Sequence, residues 1–299
     1  MNHPIPSSIT GNRLWFHFIA LLTVALWGVT FVSTKVLIQN ELTPIAIFLY
    51  RSVIAWICMG IIAPKKLFAD NLKDELWMVA LGFLGGTLYF VAENNALKLT
   101  LVSNVSLIVC IAPLVTAFLS MIFFQDERPG KRLFIGSAIA LCGVALVVFN
   151  GQFVFQLSPW GDLLTALASI AWSFYCIVLK HLGTRYSSAF ITRKVFFYGC
   201  ITLIPFIFFD PRTVDIEVFF RLPVWGNLLF LSMIASMLCF LMWNKAMTEL
   251  GPLTTTNYIY IVPLVSILTS VILLDEPLNA TMLVGSVMIL FGVFLGQRK

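Results

Sequence analysis

Residues 96–127 read ALKLTLVSNVSLIVCIAPLVTAFLSMIFFQDE, and residues 246–278 read AMTELGPLTTTNYIYIVPLVSILTSVILLDEPL. At an offset of 150, Pro113 falls on Pro263, each inside a PLV triplet, and each apolar stretch ends in an acidic pair, Asp126-Glu127 and Asp275-Glu276. Such stretches are long enough for a spanning helix, which needs about 20 mainly apolar residues. The likeness extends outward. FIGSAIALCGVALV at 134–147 is matched by LVGSVMILFGVFLG at 283–296, setting Gly136 and Gly143 against Gly285 and Gly292. Upstream, Trp27 and Lys35 match Trp172 and Lys180 at an offset of 145, and ENNALKL faces MWNKAMTEL. The chain is therefore expected to consist of a tail at 1–13 and two similar units, 14–149 and 159–296.

Composition points to the same environment. The 299 residues are 60% hydrophobic and 11% charged, where soluble domains carry about 25% charge. Mean hydropathy is +0.95. This excludes a water-soluble enzyme, a disordered chain and a disulfide scaffold. The net charge of +5 lies in short clusters between apolar runs, with no basic patch for nucleic acid. All six cysteines sit inside apolar runs without CxxC spacing and read as small buried hydrophobes.

Ten apolar runs follow: 14–38, 44–64, 75–97, 101–124, 132–149, 159–180, 188–209, 223–247, 253–274 and 279–296. Barrel strands would be about ten residues long and alternating, so these runs are read as helices. The first lacks a small-residue cleavage site before Ile38 and is read as a retained helix, not a signal peptide. With the N-terminus inside and strict alternation, inside segments hold eleven basic residues and outside segments three. That balance predicts cytoplasmic termini. Because each unit has five runs, the second enters the membrane from the opposite side. The expected fold is an all-α polytopic membrane protein of ten helices, built as a 5+5 inverted-topology repeat. This arrangement is suited to alternating access.

The pattern resembles the EamA-like branch of the drug/metabolite transporter superfamily. ALWGVTFVSTK at 25–35, Arg51 after Thr43-Pro44, and the two proline-bearing stretches quoted above carry the resemblance. It covers nearly the whole chain. It implies a ten-helix carrier with cytoplasmic termini that moves small organic solutes, often amino acids or other metabolites, outward. The polar cluster Glu93-Asn94-Asn95, and Lys245 opposite Asn95 in the repeat, depart from a purely apolar cavity.

Charges at membrane depth usually face a cavity or a partner. Arg51, Glu93 and Lys245 are therefore pathway candidates, together with Asn94 and Asn95. Trp27, Tyr89, Trp172, Tyr175, Trp243 and Tyr258 are candidates for an aromatic lining. Pro113 and Pro263, which remove a backbone donor and bend helices, are hinge or gate candidates. Lys35 and Lys180 read as snorkelling helix-end lysines, and Arg193 and Lys194 as interfacial anchors. No HExxH, no GxxxxGK[ST] and no TVGYG segment occurs. No cofactor, metal or catalytic residue is expected, and ATP is not hydrolysed by this chain alone.

The expected activity is secondary transport, with export the favoured direction. The cargo is a small organic solute, an amino acid or related metabolite, and a proton is a candidate coupling ion. The expected location is the inner membrane and the functional unit a monomer. A channel, and a non-transporting receptor or assembly protein, are the alternatives.

Overall fold

The computed structural model describes residues 7–64, 66–124, 129–149, 158–208, 215–274 and 280–297. The acidic pairs Asp126-Glu127 and Asp275-Glu276 lie outside these residues. Among the described residues every regular element is helical and there is no strand. Seven helical segments are long and apolar enough to cross a membrane, and Leu283–Gln297 is a shorter apolar helix. The protein is an all-helical polytopic membrane protein.

The helices in the first half are α1 (Ser7–Gln39), α2 (Pro44–Ile62), α3 (Leu72–Gly82), α4 (Tyr89–Leu99), α5 (Val102–Val109), α6 (Ala112–Phe123) and α7 (Lys131–Phe149). Those in the second are α8 (Pro159–Gly183), α9 (Ser188–Ile207), α10 (Leu222–Leu229), α11 (Cys239–Leu250), α12 (Pro252–Thr256), α13 (Val262–Leu274) and α14 (Ala280–Gln297). Local chemistry sets several ends. Thr43 caps α2 by accepting from Ala46 N at 3.1 Å, with Pro44 at the first helical position. Asn71 caps α3, whose first turn holds Asp74 and Glu75, where acids suit the positive end of the helix. Gly251, at φ 81°, makes the left-handed turn from α11 into α12.

The two halves break their helices at matching places. A π-helical segment, Phe83–Leu88, joins α3 to α4, and a second, Phe230–Leu238, joins α10 to α11. At an offset of 150 the first falls inside the second. A turn at Cys110 and Ile111 separates α5 from α6, and a 3-10 segment, Asn257–Ile261, separates α12 from α13. Pro113 sits in the first turn of α6 and Pro263 follows Val262 at the start of α13. Pro113 cannot donate to the carbonyl one turn back, so a helix break just before it is the physical result.

α7 and α14 pack through the paired glycines. A Cβ at Gly136 would lie 2.5 Å from Gly292 O, and one at Gly292 would lie 2.5 Å from Gly136 O. The reciprocity is that of a local twofold, and any larger residue would push the helices apart.

Candidate functional site

A cavity lies between the halves, lined by α1, α2, α4, the α5–α6 break, α8, α11 and the break before α13. Its open space is about 40 Å³, well below the roughly 300–1,000 Å³ of an open small-molecule site, so its walls are closely packed. Its walls are largely aromatic. Trp27 meets Trp172 edge-on at 5.2 Å between centroids, and Tyr89 packs on Trp172 at 5.1 Å. Phe90 faces Phe240 at 6.2 Å. The repeat offsets relate both Trp27 to Trp172 and Phe90 to Phe240, so the lining is pseudo-symmetric.

The charges are not symmetric. Arg51 is 2% exposed and Glu93 5%, and both line the cavity. Arg51 Nε donates to Ser236 Oγ at 2.8 Å, and the guanidinium carbon lies 4.3 Å from the Phe90 ring centroid. Ser236 belongs to the second-half π segment. Trp27 Nε1 also donates to that segment, to Ala235 O at 3.1 Å. Glu93 Oε1 accepts from Tyr89 OH at 2.5 Å. Arg51 and Glu93 attract each other electrostatically, yet no hydrogen bond joins them among the described residues. The Nη1 and Nη2 groups of Arg51 and the Oε2 of Glu93 are left for a third party. At the repeat position of Glu93 stands Trp243, so the second half supplies an indole where the first supplies a carboxylate.

The backbone at the break is cared for by α8. Ser173 Oγ lies 3.0 Å from Ala112 O, and Ser169 Oγ lies 3.4 Å from Ile108 O. Ala112 and Val262, each directly before a proline, line the cavity. Pro113 and Pro263 thus flank the cavity without forming its surface.

Other sequence candidates sit elsewhere. Asn94 is fully buried and donates to Pro44 O at 3.1 Å, tying α4 to α2. Asn95 donates back to Val91 O in its own helix at 2.7 Å. Tyr175 lies behind Trp172, stacked on it, and its hydroxyl donates to Asn244 Oδ1 at 2.5 Å. Trp243 is fully buried under Trp27. Tyr258 bonds His17 Nδ1 at 2.8 Å. Lys245 is half exposed and pairs with Glu249 at 2.6 Å on its own helix, away from the cavity. Phe90, Phe240, Thr30, Phe31 and Ser236 were not singled out by sequence. The offset of 150 that pairs Phe90 with Phe240 was the available signal.

A second polar cluster clamps the two halves together at the start of α3. Glu75 accepts from Lys194, from the Tyr198 hydroxyl and from Ala69 N, the last at 2.5 Å. Asp74 accepts from Tyr186 OH at 2.8 Å and from Arg185 Nη1 at 3.1 Å. The Arg193 guanidinium donates to the carbonyls of Ala63 and Lys66. Arg193 and Lys194 are therefore inter-half ties rather than lipid-facing anchors. In the loop before α3, the Lys66 ammonium holds the Asp70 carboxyl below its ordinary range. Glu75 and Glu93 are 18 residues apart, about 27 Å along a helix at 1.5 Å per residue. Fully buried Tyr175, Phe196 and Trp243, all from the second half, share one core with first-half residues such as Phe48 and Leu81.

Comparison with known proteins fits this architecture. The model of the EamA-like transporter family matches residues 14–149 and 159–296. An uncharacterized transporter of Archaeoglobus fulgidus is 26% identical over 95% of this chain and 97% of its own length. A probable terminal-alkyne amino-acid exporter of Streptantibioticus cattleyicolor is 26% identical over 93% of this chain and 92% of its own. A solved crystal structure superposes with a TM-score of 0.72 at 18% identity, covering 95% of this chain and 96% of that one, which speaks to fold alone. With the family model matched twice and across nearly the whole chain, this membrane protein belongs to the EamA-like transporter family, whose members are transporters.

Proposed function

We propose that the chain is a secondary transporter that exports amino acids or related small metabolites across the inner membrane by alternating access. One observation carries the reading. The cavity between the halves offers a guanidinium with two unengaged nitrogens and a carboxylate with one unengaged oxygen, inside an aromatic wall. A zwitterion complements that pair: its carboxylate to Arg51, bidentately, and its ammonium to Glu93. The aromatic rings take an apolar remainder and stabilise the ammonium through their faces.

In this reading the chain crosses the membrane ten times, as two five-helix units, 14–149 and 159–296, of opposite topology. The termini are cytoplasmic, as the basic residues favour. Support for a two-fold machine comes from the matched π segments, the matched breaks and a cavity walled by both halves. Support for the substrate class also comes from the amino-acid exporter among the relatives. Glu93 is the natural carrier of a coupling proton, since it is a titratable group facing the cavity.

The test is reconstitution into liposomes with a pooled amino-acid and metabolite panel, read by mass spectrometry. Saturable uptake with counterflow of an amino acid supports the proposal. Flux without saturation or counterflow indicates a channel, and absence of any flux indicates a non-transporting role. Cysteines added to the tails settle the topology: labelling of either from outside intact cells overturns cytoplasmic termini.

A further inference from the structure

A second and larger groove opens on the outer surface of the bundle, near the clamp, between α1, α11 and the α8–α9 turn. It holds about 750 Å³ of open space. Its composition is graded. At one end stand Arg185 and Lys245, with the hydroxyls of Thr184 and Ser188. Tyr186, Ser187 and Thr248 also line it, and the remaining wall is apolar, with Ile19 and Leu22 from α1, and Leu241 and Leu238 reaching down toward mid-helix. From Thr248 to Leu238 the groove runs ten residues along the helix, about 15 Å. Among the described residues no acidic side chain lines it.

Both cations have donors to spare. Arg185 uses Nη1 alone, on Asp74, and its side chain is 52% exposed. Lys245 gives one of its three protons to Glu249 and is 49% exposed. The Lys245–Glu249 pair is exposed on both sides and holds only weakly, while Arg185, held to buried Asp74 through Nη1, keeps Nη2 and Nε for a further acceptor. Trp15, 57% exposed at the groove mouth, has the position of an interfacial anchor.

We infer that this groove is a binding site for one anionic phospholipid of the bilayer leaflet on the clamp side. The phosphate lies between Arg185 and Lys245, and the first part of an acyl chain lies along Ile19, Leu22 and Leu238. Charge complementarity selects the headgroup, and the apolar wall below it selects a lipid over a free anion. Basic pockets between spanning helices are suited to such headgroups. The site is separate from the transport cavity and does not depend on what the cavity carries.

The experiment is native mass spectrometry of the delipidated full-length protein in detergent. It is titrated with phosphatidylglycerol, with phosphatidylcholine, and with phosphatidylglycerol in the presence of millimolar inorganic phosphate. The wild type is expected to retain phosphatidylglycerol over phosphatidylcholine. Lys245→Gln and Arg185→Gln are each expected to weaken phosphatidylglycerol retention about fivefold, the weight of one basic residue near an anionic surface. Leu238→Trp, which fills the apolar end, should weaken both lipids. Because Arg185 also ties the halves, Lys245→Gln carries the decision if Arg185→Gln does not fold. Equal retention of the two lipids by the wild type, or unchanged selectivity in Lys245→Gln, overturns the inference. So does displacement of phosphatidylglycerol by inorganic phosphate, which would mark a free-anion site.

Discussion

Two carboxylates on one membrane-crossing segment behave as opposites. Glu75 is saturated: an ammonium, a phenol and a backbone amide all donate to it, and the ammonium belongs to the other half. Glu93 has one phenol of its own helix and one oxygen free toward the cavity. The same side chain is a strut in one place and a receptor in the other. Burial does not separate them, since Glu93 is the more deeply buried. What separates them is whether the surrounding donors are already spent.

That contrast can be broken at either end. The largest effect is expected at Glu75→Ala, which strands Lys194, whose side chain is 3% exposed, without its carboxylate. Breaking a buried pair from one side costs about 3–5 kcal/mol. Thermal unfolding in detergent should register a loss of that order, and wild-type stability would show that the clamp does not hold the halves.

Arg51→Gln comes next. If the cargo is the proposed amino acid, it removes a charge-assisted pair of hydrogen bonds to the cargo's carboxylate, about 1.5–3 kcal/mol, or roughly ten- to hundredfold in apparent affinity. The expected signature in proteoliposomes is a raised half-saturation concentration for amino acids and little change for the matching amines. Equal losses for both would remove Arg51 from carboxylate recognition.

Glu93→Gln sharpens the comparison further. Shape and hydrogen-bonding reach are kept, while the titratable group is lost. Flux is expected to fall several-fold and its pH profile to flatten, with the yield and melting temperature of folded protein unchanged. A wild-type rate, affinity and pH profile would end both the substrate and the proton roles. A drop in folded protein alone would make Glu93 a strut like Glu75.

The smallest effects belong to the helix breaks. Pro113→Ala and Pro263→Ala restore a donor where the chain has adapted to lacking one. Each should slow transport about two- to fivefold, below 1 kcal/mol, while lowering folded yield less. Uptake rates normalised to folded protein, read beside size-exclusion yield, check it.

Much of this was legible from the chain. The apolar runs and the PLV match fixed helices and a duplicated plan, because hydrocarbon leaves a long chain few other ways to satisfy its backbone. Trp27, Arg51, Tyr89, Glu93 and Trp172 were all picked by sequence and all line the cavity. Lys245 was not separable from them. Its depth in the run looked like that of Asn95, but helical phase turns it outward to Glu249. Tyr175 and Trp243 are one shell too deep, since periodicity gives a face and not the order of layers along it. The clamp escaped because its members are distant in sequence. Arg193 and Lys194 read in sequence as ordinary interfacial anchors, and only three-dimensional proximity to Ala63, Lys66 and Glu75 turns them inward.

The π segment at Phe83–Leu88 has a consequence for phase. Eighteen residues of unbroken α-helix make five whole turns, so Glu75 and Glu93 would share one face. A π turn accommodates one residue more than an α turn and so rotates everything beyond it by about 100°. The six-residue wide segment between the two acids sets the azimuth of α4 against that of α3, and a single rod of chain thereby addresses α9 at one level and the cavity at another. The matching segment at Phe230–Leu238 does the same for Phe240 and Trp243 relative to α10. A change of one residue in the length of either wide segment would act as a rotary adjustment of the site, turning its lining about the helix axis while leaving the span's length almost untouched.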